Sequence, residues 1–215
     1  YFDVVVRYAK ESPEDLLVEV VATNRGPEAA SLSLLPTLWF RNTWERSGGP
    51  GPQIELIASS TPWATLMATH PDLGSRYLYA EGDPTILLTE NETNRRKLFG
   101  QDNPTDVVKD GINDAVVDGR MDAVRTSGSG TKASAHYERV IAAGATETIR
   151  LRLTETSPPG LDGTDPGATP CGRRFANVMR KRRREADEFY TEVIPESLDD
   201  DAASVMRQAL AGMLW

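Results

Sequence analysis

Cysteine and histidine are nearly absent from this sequence, with one cysteine and two histidines among 215 residues. A lone cysteine, Cys171, forms no internal disulfide, which excludes a secreted disulfide framework and points to a reducing, cytoplasmic setting. His70 and His136 have no partner at metal-ligand spacing. His70 precedes Pro71 in a turn and His136 alternates with Ala135 and Tyr137, so both read as structural. Long apolar runs are missing as well; none approaches the roughly 20 residues that cross a membrane, and no membrane partner is expected. Positive charge is in deficit. The formal net charge of −8 argues against nucleic acid and anionic surfaces as partners and leaves neutral ones such as sugars.

Nucleophile and phosphate motifs are lacking too. There is no Gly-x-Ser-x-Gly elbow, and Cys171 lies in a Pro/Gly segment without a base. Gly48-Gly49-Pro50-Gly51-Pro52 reads as a flexible loop, because proline removes amide donors that a phosphate needs. Asn91-Glu92-Thr93 matches a glycosylation sequon and is taken as a chance triplet. No cofactor is called for. Asp110, Asn113, Asp114 and Asp118 could gather around calcium, although the EF-hand order is missing.

What is present is a strong period of two from Phe2 to about Thr154. Phe2, Val4, Val6 and Tyr8 share one face, and Leu16, Val18, Val20 and Ala22 another, before a turn at Asn24-Arg25-Gly26-Pro27. Leu32 and Leu34 alternate with serines ahead of Pro36, which predicts an edge position or a bulge. Further strands are expected at Ile54–Ala58, Trp63–Thr69, Arg76–Ala80 and Thr85–Thr89. Ala133–Ile141 and Thr146–Thr154 read as a hairpin bent at Ala143-Gly144. So many short strands predict a mainly β fold, an antiparallel sandwich of two packed sheets.

Two departures from that period stand out. Thr89 to Gly100 reads as a short helix, with Thr89 and Glu92 as a capping box and Gly100 at its end. Asn103-Pro104 then predicts another helical turn closed by Gly111. Together they form a long excursion, of a length that is often functional. Residues 155–172 are a Pro/Gly linker. Beyond it the period becomes 3.6, through Phe175, Val178, Met179, Ala186, Phe189, Tyr190 and Val193, with Pro195 ending the helix. Arg180-Lys181-Arg182-Arg183-Arg184 wraps the whole circumference and has acids four residues on, so it reads as a solvated surface.

The expected organisation is a β-sandwich over residues 1–154, a linker over 155–172 and helices over 173–215. The last helix has Asp199 and Asp200 at its start, an apolar face of Val205, Met206, Ala209, Leu210, Met213 and Leu214, and no terminator. With a strand opening at Tyr1 and no initiator Met, the sequence reads as a segment of a longer protein.

Two groups could carry chemistry. Trp39-Phe40-Arg41-Asn42-Thr43-Trp44 offers indole faces to stack on sugar rings and planar donors for hydroxyls. The same residues would equally serve packing, with Trp39 and Phe40 in the core and Trp44 under its loop. Glu90 and Glu92, or Asp110 and Asp114, could form a carboxylate pair, though capping and solvation explain them as well.

Four stretches in order carry a resemblance: Leu35–Trp44, Thr89–Asn94, Lys109–Asp114 and Met206–Trp215. Together they resemble bacterial glucosidase-like proteins similar to the processing α-glucosidase family, glycoside hydrolase family 63. The resemblance implies a supersandwich-like N-terminal domain, with the final helix opening an (α/α)6 barrel (toroid) that carries the catalytic carboxylates. It implies inverting hydrolysis of oligosaccharides, no catalytic residue within this chain, and a partner in the helical domain beyond Trp215. The substrate-binding candidates are Trp39, Arg41, Asn42, Trp44, Glu90, Asp110, Asn113 and Asp114. The alternative is a stand-alone carbohydrate-binding sandwich without activity.

Overall fold

The computed structural model of the protein describes residues 1–44, 48, 51–60, 62–157 and 169–214. Most of the expected linker, residues 158–168, and Trp215 lie outside the described residues.

The valine-rich start forms a hairpin of β1 (Phe2–Ser12) and β2 (Asp15–Asn24), with Val6 opposite Val20. β-branched side chains suit this pleated, half-buried surface. A meander follows: β5 (Gln53–Ser60), β6 (Trp63–His70) and β7 (Gly74–Glu81). With β9 (Ser129–Gly130) and β11 (Thr146–Thr154) they complete a seven-stranded antiparallel sheet in the order β1-β2-β11-β7-β6-β5-β9.

The second sheet is narrower. β10 (Lys132–Ile141) pairs on one side with β8 (Thr85–Thr89). On its other side lie β3 (Ala30–Leu34) and β4 (Thr37–Trp39), end to end in one register, with Leu34 opposite Tyr137 and Thr37 opposite Ser134. Between them Pro36 accepts from the Ala135 amide at 3.0 Å. Proline has no N–H to return, so one ladder bond is missing there and the strand is interrupted between Leu34 and Thr37; of the two expectations for Pro36 the edge position is the one observed.

Alternate residues of both sheets meet in one core: Ile54, Leu66, Leu78, Ile149 and Leu151 from the large sheet, Ile86, Leu88, Ala135 and Tyr137 from the small one. Each large apolar side chain so buried contributes about 1.5–3 kcal/mol. The fold is thus mainly β, two packed antiparallel sheets, with helices towards the C-terminal end.

The expected hairpin at 133–154 is not one. β10 and β11 belong to different sheets, and the bend at Ala143-Gly144 is a corner between them. Alternation cannot separate the two cases, because both strands turn an apolar face to the same core from opposite sides. Asn24 decides it. Its buried side-chain amide donates to the carbonyls of Ile141 (2.9 Å) and Glu28 (2.8 Å), and its Oδ1 accepts from Gly26 N (2.8 Å). Its backbone N–H donates to Ala145 O and its carbonyl accepts from Gly144 N, both at 3.0 Å. One residue thereby fixes two of the crossings between the sheets, β2 to β3 and β10 to β11.

The helices of the excursion also start elsewhere than expected. Thr89 stays in β8 opposite Lys132, because pairing with β10 overrides the local capping signal. The first helix, α1 (Arg95–Phe99), is capped by Asn94, whose Oδ1 accepts from Lys97 N at 3.0 Å, and it ends at Gly100 as expected, with φ 66°. No helix forms at Asn103-Pro104, and Gly111 begins a helix, α2 (Gly111–Asp118), instead of ending one. Glycine is required there for closeness: a Cβ would sit 2.1 Å from the Ala123 carbonyl oxygen, in the short 3-10 turn Met121–Ala123.

On the outer face of the large sheet Phe175 and Cys171 pack on Ala9 and Leu17, which docks the first turn of α3 (Arg173–Val193). Burial pushes the Cys171 thiol up to about 12. Nearby, Arg152 is buried and grips Asp15 with two bonds, at 2.9 and 2.5 Å, while donating to Glu11 and to the Pro170 carbonyl. α4 (Asp200–Leu214) follows, with Asp199 accepting from Ala202 N at 2.8 Å. Arg207 ties it back through Asp187 (2.6 Å) and the Tyr190 ring. Val205, Met213 and Leu214 stand exposed.

Candidate functional site

The excursion between β8 and β9 sits on the outer face of the small sheet, where Ile112, Ala115 and Val124 cover Leu87. Around this small apolar anchor the remaining contacts are polar. Asn94 donates to both Asp110 oxygens at 3.2 Å, and Lys97 lies 3.5 Å from Asp110 Oδ2. Arg120 donates to Asp114 Oδ2 at 3.0 Å. These groups, with Asp106 and Asn103, line a polar cleft of about 560 Å³. Its mixture of carboxylate acceptors with amide, ammonium and guanidinium donors suits a ligand rich in hydroxyl groups.

The 39–44 loop is joined to the root of the excursion. Asn91 donates from its side chain to Phe40 O at 2.7 Å, and Asn42 returns the contact to Asn91 O at 3.3 Å. Asn91 itself is positioned by its N–H, which donates to Thr131 Oγ1 at 2.6 Å. Lys132, opposite Trp39 in the ladder, donates from Nζ to Lys109 O at 2.7 Å. Burial, and secondarily the charge of Lys109, pulls the Lys132 ammonium below its ordinary range, with Asp110 opposing.

The eight candidates therefore divide. Asp110 and Asp114 line the cleft, whereas Asn113 lies exposed on α2 outside its lining. Glu90 is used in the framework, accepting from Arg125 at 2.8 Å and from Thr131 Oγ1 at 3.1 Å. Trp39 is 55% exposed, so it does not anchor the core, while Phe40 packs against that core and stacks on His70. Trp44 lies against Gly51, within its own loop. Arg41 is exposed and Asn42 half-buried.

Sequence reading missed Asn94, Lys97, Asn103 and Arg120. An Asn-x-x-Lys start to a helix signals a cap and gives no hint that Asn94 also holds Asp110 from 16 residues away. Among the described residues no group of three or more His, Cys, Asp or Glu side chains is arranged to hold a metal ion. Asp110 and Asp114 are engaged by cationic and amide partners instead. No helix among the described residues is long and apolar enough to cross a membrane.

The chain is similar to part of a much longer yeast protein. It is 30% identical over 242 aligned residues to uncharacterized protein YMR196W of Saccharomyces cerevisiae, aligned along its whole length and covering 22% of that protein. No family model matches the chain.

Proposed function

We propose that this chain is the non-catalytic N-terminal β-sandwich region of a glycoside hydrolase, α-glucosidase-like and cytoplasmic, that cleaves oligosaccharides with inversion. One observation carries the proposal. Three of the four stretches that resemble glucosidases, at Leu35–Trp44, Thr89–Asn94 and Lys109–Asp114, are far apart in sequence yet meet at one place, through the Asn42–Asn91 and Asn94–Asp110 bonds. At Asn94 and Asp110 this place opens into the polar cleft, and Trp39 stands exposed outside that cleft's lining.

Inverting hydrolysis needs an acid and a base about 6.5–9.5 Å apart, with water between base and anomeric carbon. In this proposal both come from a helical domain beyond Trp215, which α4 introduces, and the sandwich supplies a wall of the pocket. Asp110 and Asp114 would accept hydrogen bonds from sugar hydroxyls, and Trp39 would stack on a ring face. The 22% coverage of the yeast relative leaves ample chain for such a domain.

The test is hydrolysis of aryl α-glucosides and gluco-oligosaccharides by the longer polypeptide, with the first-formed anomer read by proton NMR. The expected outcome is β-glucose from the long form and no turnover from residues 1–215. Glycan binding without hydrolysis by the long form would favour the stand-alone binding module. Neither binding nor hydrolysis would overturn both.

A further inference from the structure

The sandwich is open along one side. Seven strands of the large sheet face a second sheet only three strands wide, since β3 and β4 share one edge of β10. Beyond that edge the inner face of β1 is uncovered: Val4 and Val6 are 47% and 45% exposed, on the same face as the buried Val20 and Ala22 of β2. With Leu16, Val18, Leu35 and Leu38 they line an apolar cleft of about 460 Å³.

The edge above this cleft is built to accept a strand. Pro36 and Phe40 bond to Ala135 and Thr131 of β10, so the even-numbered residues of β3–β4 turn their backbone groups inward. In an antiparallel ladder the alternate residues face away. The amides of Ser33, Leu35 and Thr37 therefore point outward, and the one proline of the edge, Pro36, falls at an inward position where it does not interrupt them.

We propose that this cleft is a docking site for an extended β-segment that adds to the β3–β4 edge and lays alternate apolar side chains over Val4 and Val6. The segment comes from the same polypeptide, outside residues 1–215. Other occupants satisfy half of the geometry. A second copy pairing β1 with β1 would extend the large sheet but leave Val4 and Val6 uncovered from above. A small apolar molecule would fill the cleft but leave the outward amides unpaired. A strand added about 4.8 Å beyond β3–β4 does both, because facing sheets lie about 10 Å apart and its side chains then reach β1. A source in the same polypeptide is at hand, since the whole chain aligns within a relative of which it covers only 22%. The proposal needs a longer polypeptide but no glycosidase activity, so it can fail or stand apart from the function proposed above.

Thiol labelling of Val6→Cys, in residues 1–215 and in the longer polypeptide, tests it. The only native cysteine, Cys171, is buried and its thiol is pushed up to about 12, so the background is low. The expected result is fast labelling in residues 1–215 and labelling slower by at least about tenfold in the longer form. Hydrogen exchange, which needs no variant, should show Ser33, Leu35 and Thr37 newly protected in the longer form, with Leu34 and Leu38 protected in both. Equal labelling and exchange in the two forms would overturn the proposal. So would protection already present in residues 1–215, whether from the chain itself or from a dimer seen by light scattering.

Discussion

The sandwich core and the excursion at 90–128 are held together by different physics. The core is sealed by interdigitating aliphatic side chains and one buried tyrosine, Tyr137. The excursion has one small apolar anchor, at Leu87, Ile112, Ala115 and Val124, and is otherwise fixed by amide and charge contacts at its surface. Dispersion and the hydrophobic effect make the first cooperative. The second can open locally without unfolding the sheets. A candidate site placed on the second region borrows its position from the first through Asn91, Thr131 and Lys132.

The largest effects should come from the core. Leu66→Ala leaves a cavity and is expected to lower global stability by about 3–4 kcal/mol, seen as a shifted urea midpoint with one transition. Arg152→Ala should cost about as much, 3–5 kcal/mol, because Asp15 stays behind as an uncompensated buried carboxylate, while Glu11 keeps Arg174. Its neighbour on β11 sharpens the point. Arg150 meets Glu19 and Glu81 while about a third exposed, and Arg150→Ala should cost no more than about 1 kcal/mol.

Gly111→Ala should act in the excursion alone, since the added methyl has no room beside the Ala123 carbonyl. About 2 kcal/mol of local stability should be lost, with faster hydrogen exchange in 111–125 and unchanged exchange in β6 and β7. If the sheets loosened equally, the two regions would not be separable. Smallest of all, Cys171 should resist alkylation at pH 8 until the protein unfolds. Its thiol is raised from 9.0 to about 12, so it stabilises the fold below pH 9 and that contribution is lost as pH rises between the two values.

The same division decides what could be read from the chain. Period two in Leu16–Ala22 and Thr146–Thr154 reports a buried face, and both segments are strands. It cannot report which sheet a strand joins, because the corner at Ala143-Gly144 depends on Asn24, more than a hundred residues earlier. In the excursion the signals were local and tertiary contacts overruled them: Thr89 went to the β10 ladder, and Gly111 to a close approach that no local pattern encodes. Asp110 and Asp114 were legible as candidates. Their partners Asn94 and Arg120 were not, since a cap and a surface arginine look alike wherever they occur.

Whether the cleft of the excursion forms a wall of a saccharide site is tested most directly by Asp110→Ala in the longer polypeptide. Steady-state kinetics on an α-gluco-oligosaccharide should show KM raised about tenfold with kcat within about twofold, as expected for lost binding away from the reacting bond. Unchanged KM and kcat, in a variant whose hydrogen exchange in α2 matches the parent, would contradict it.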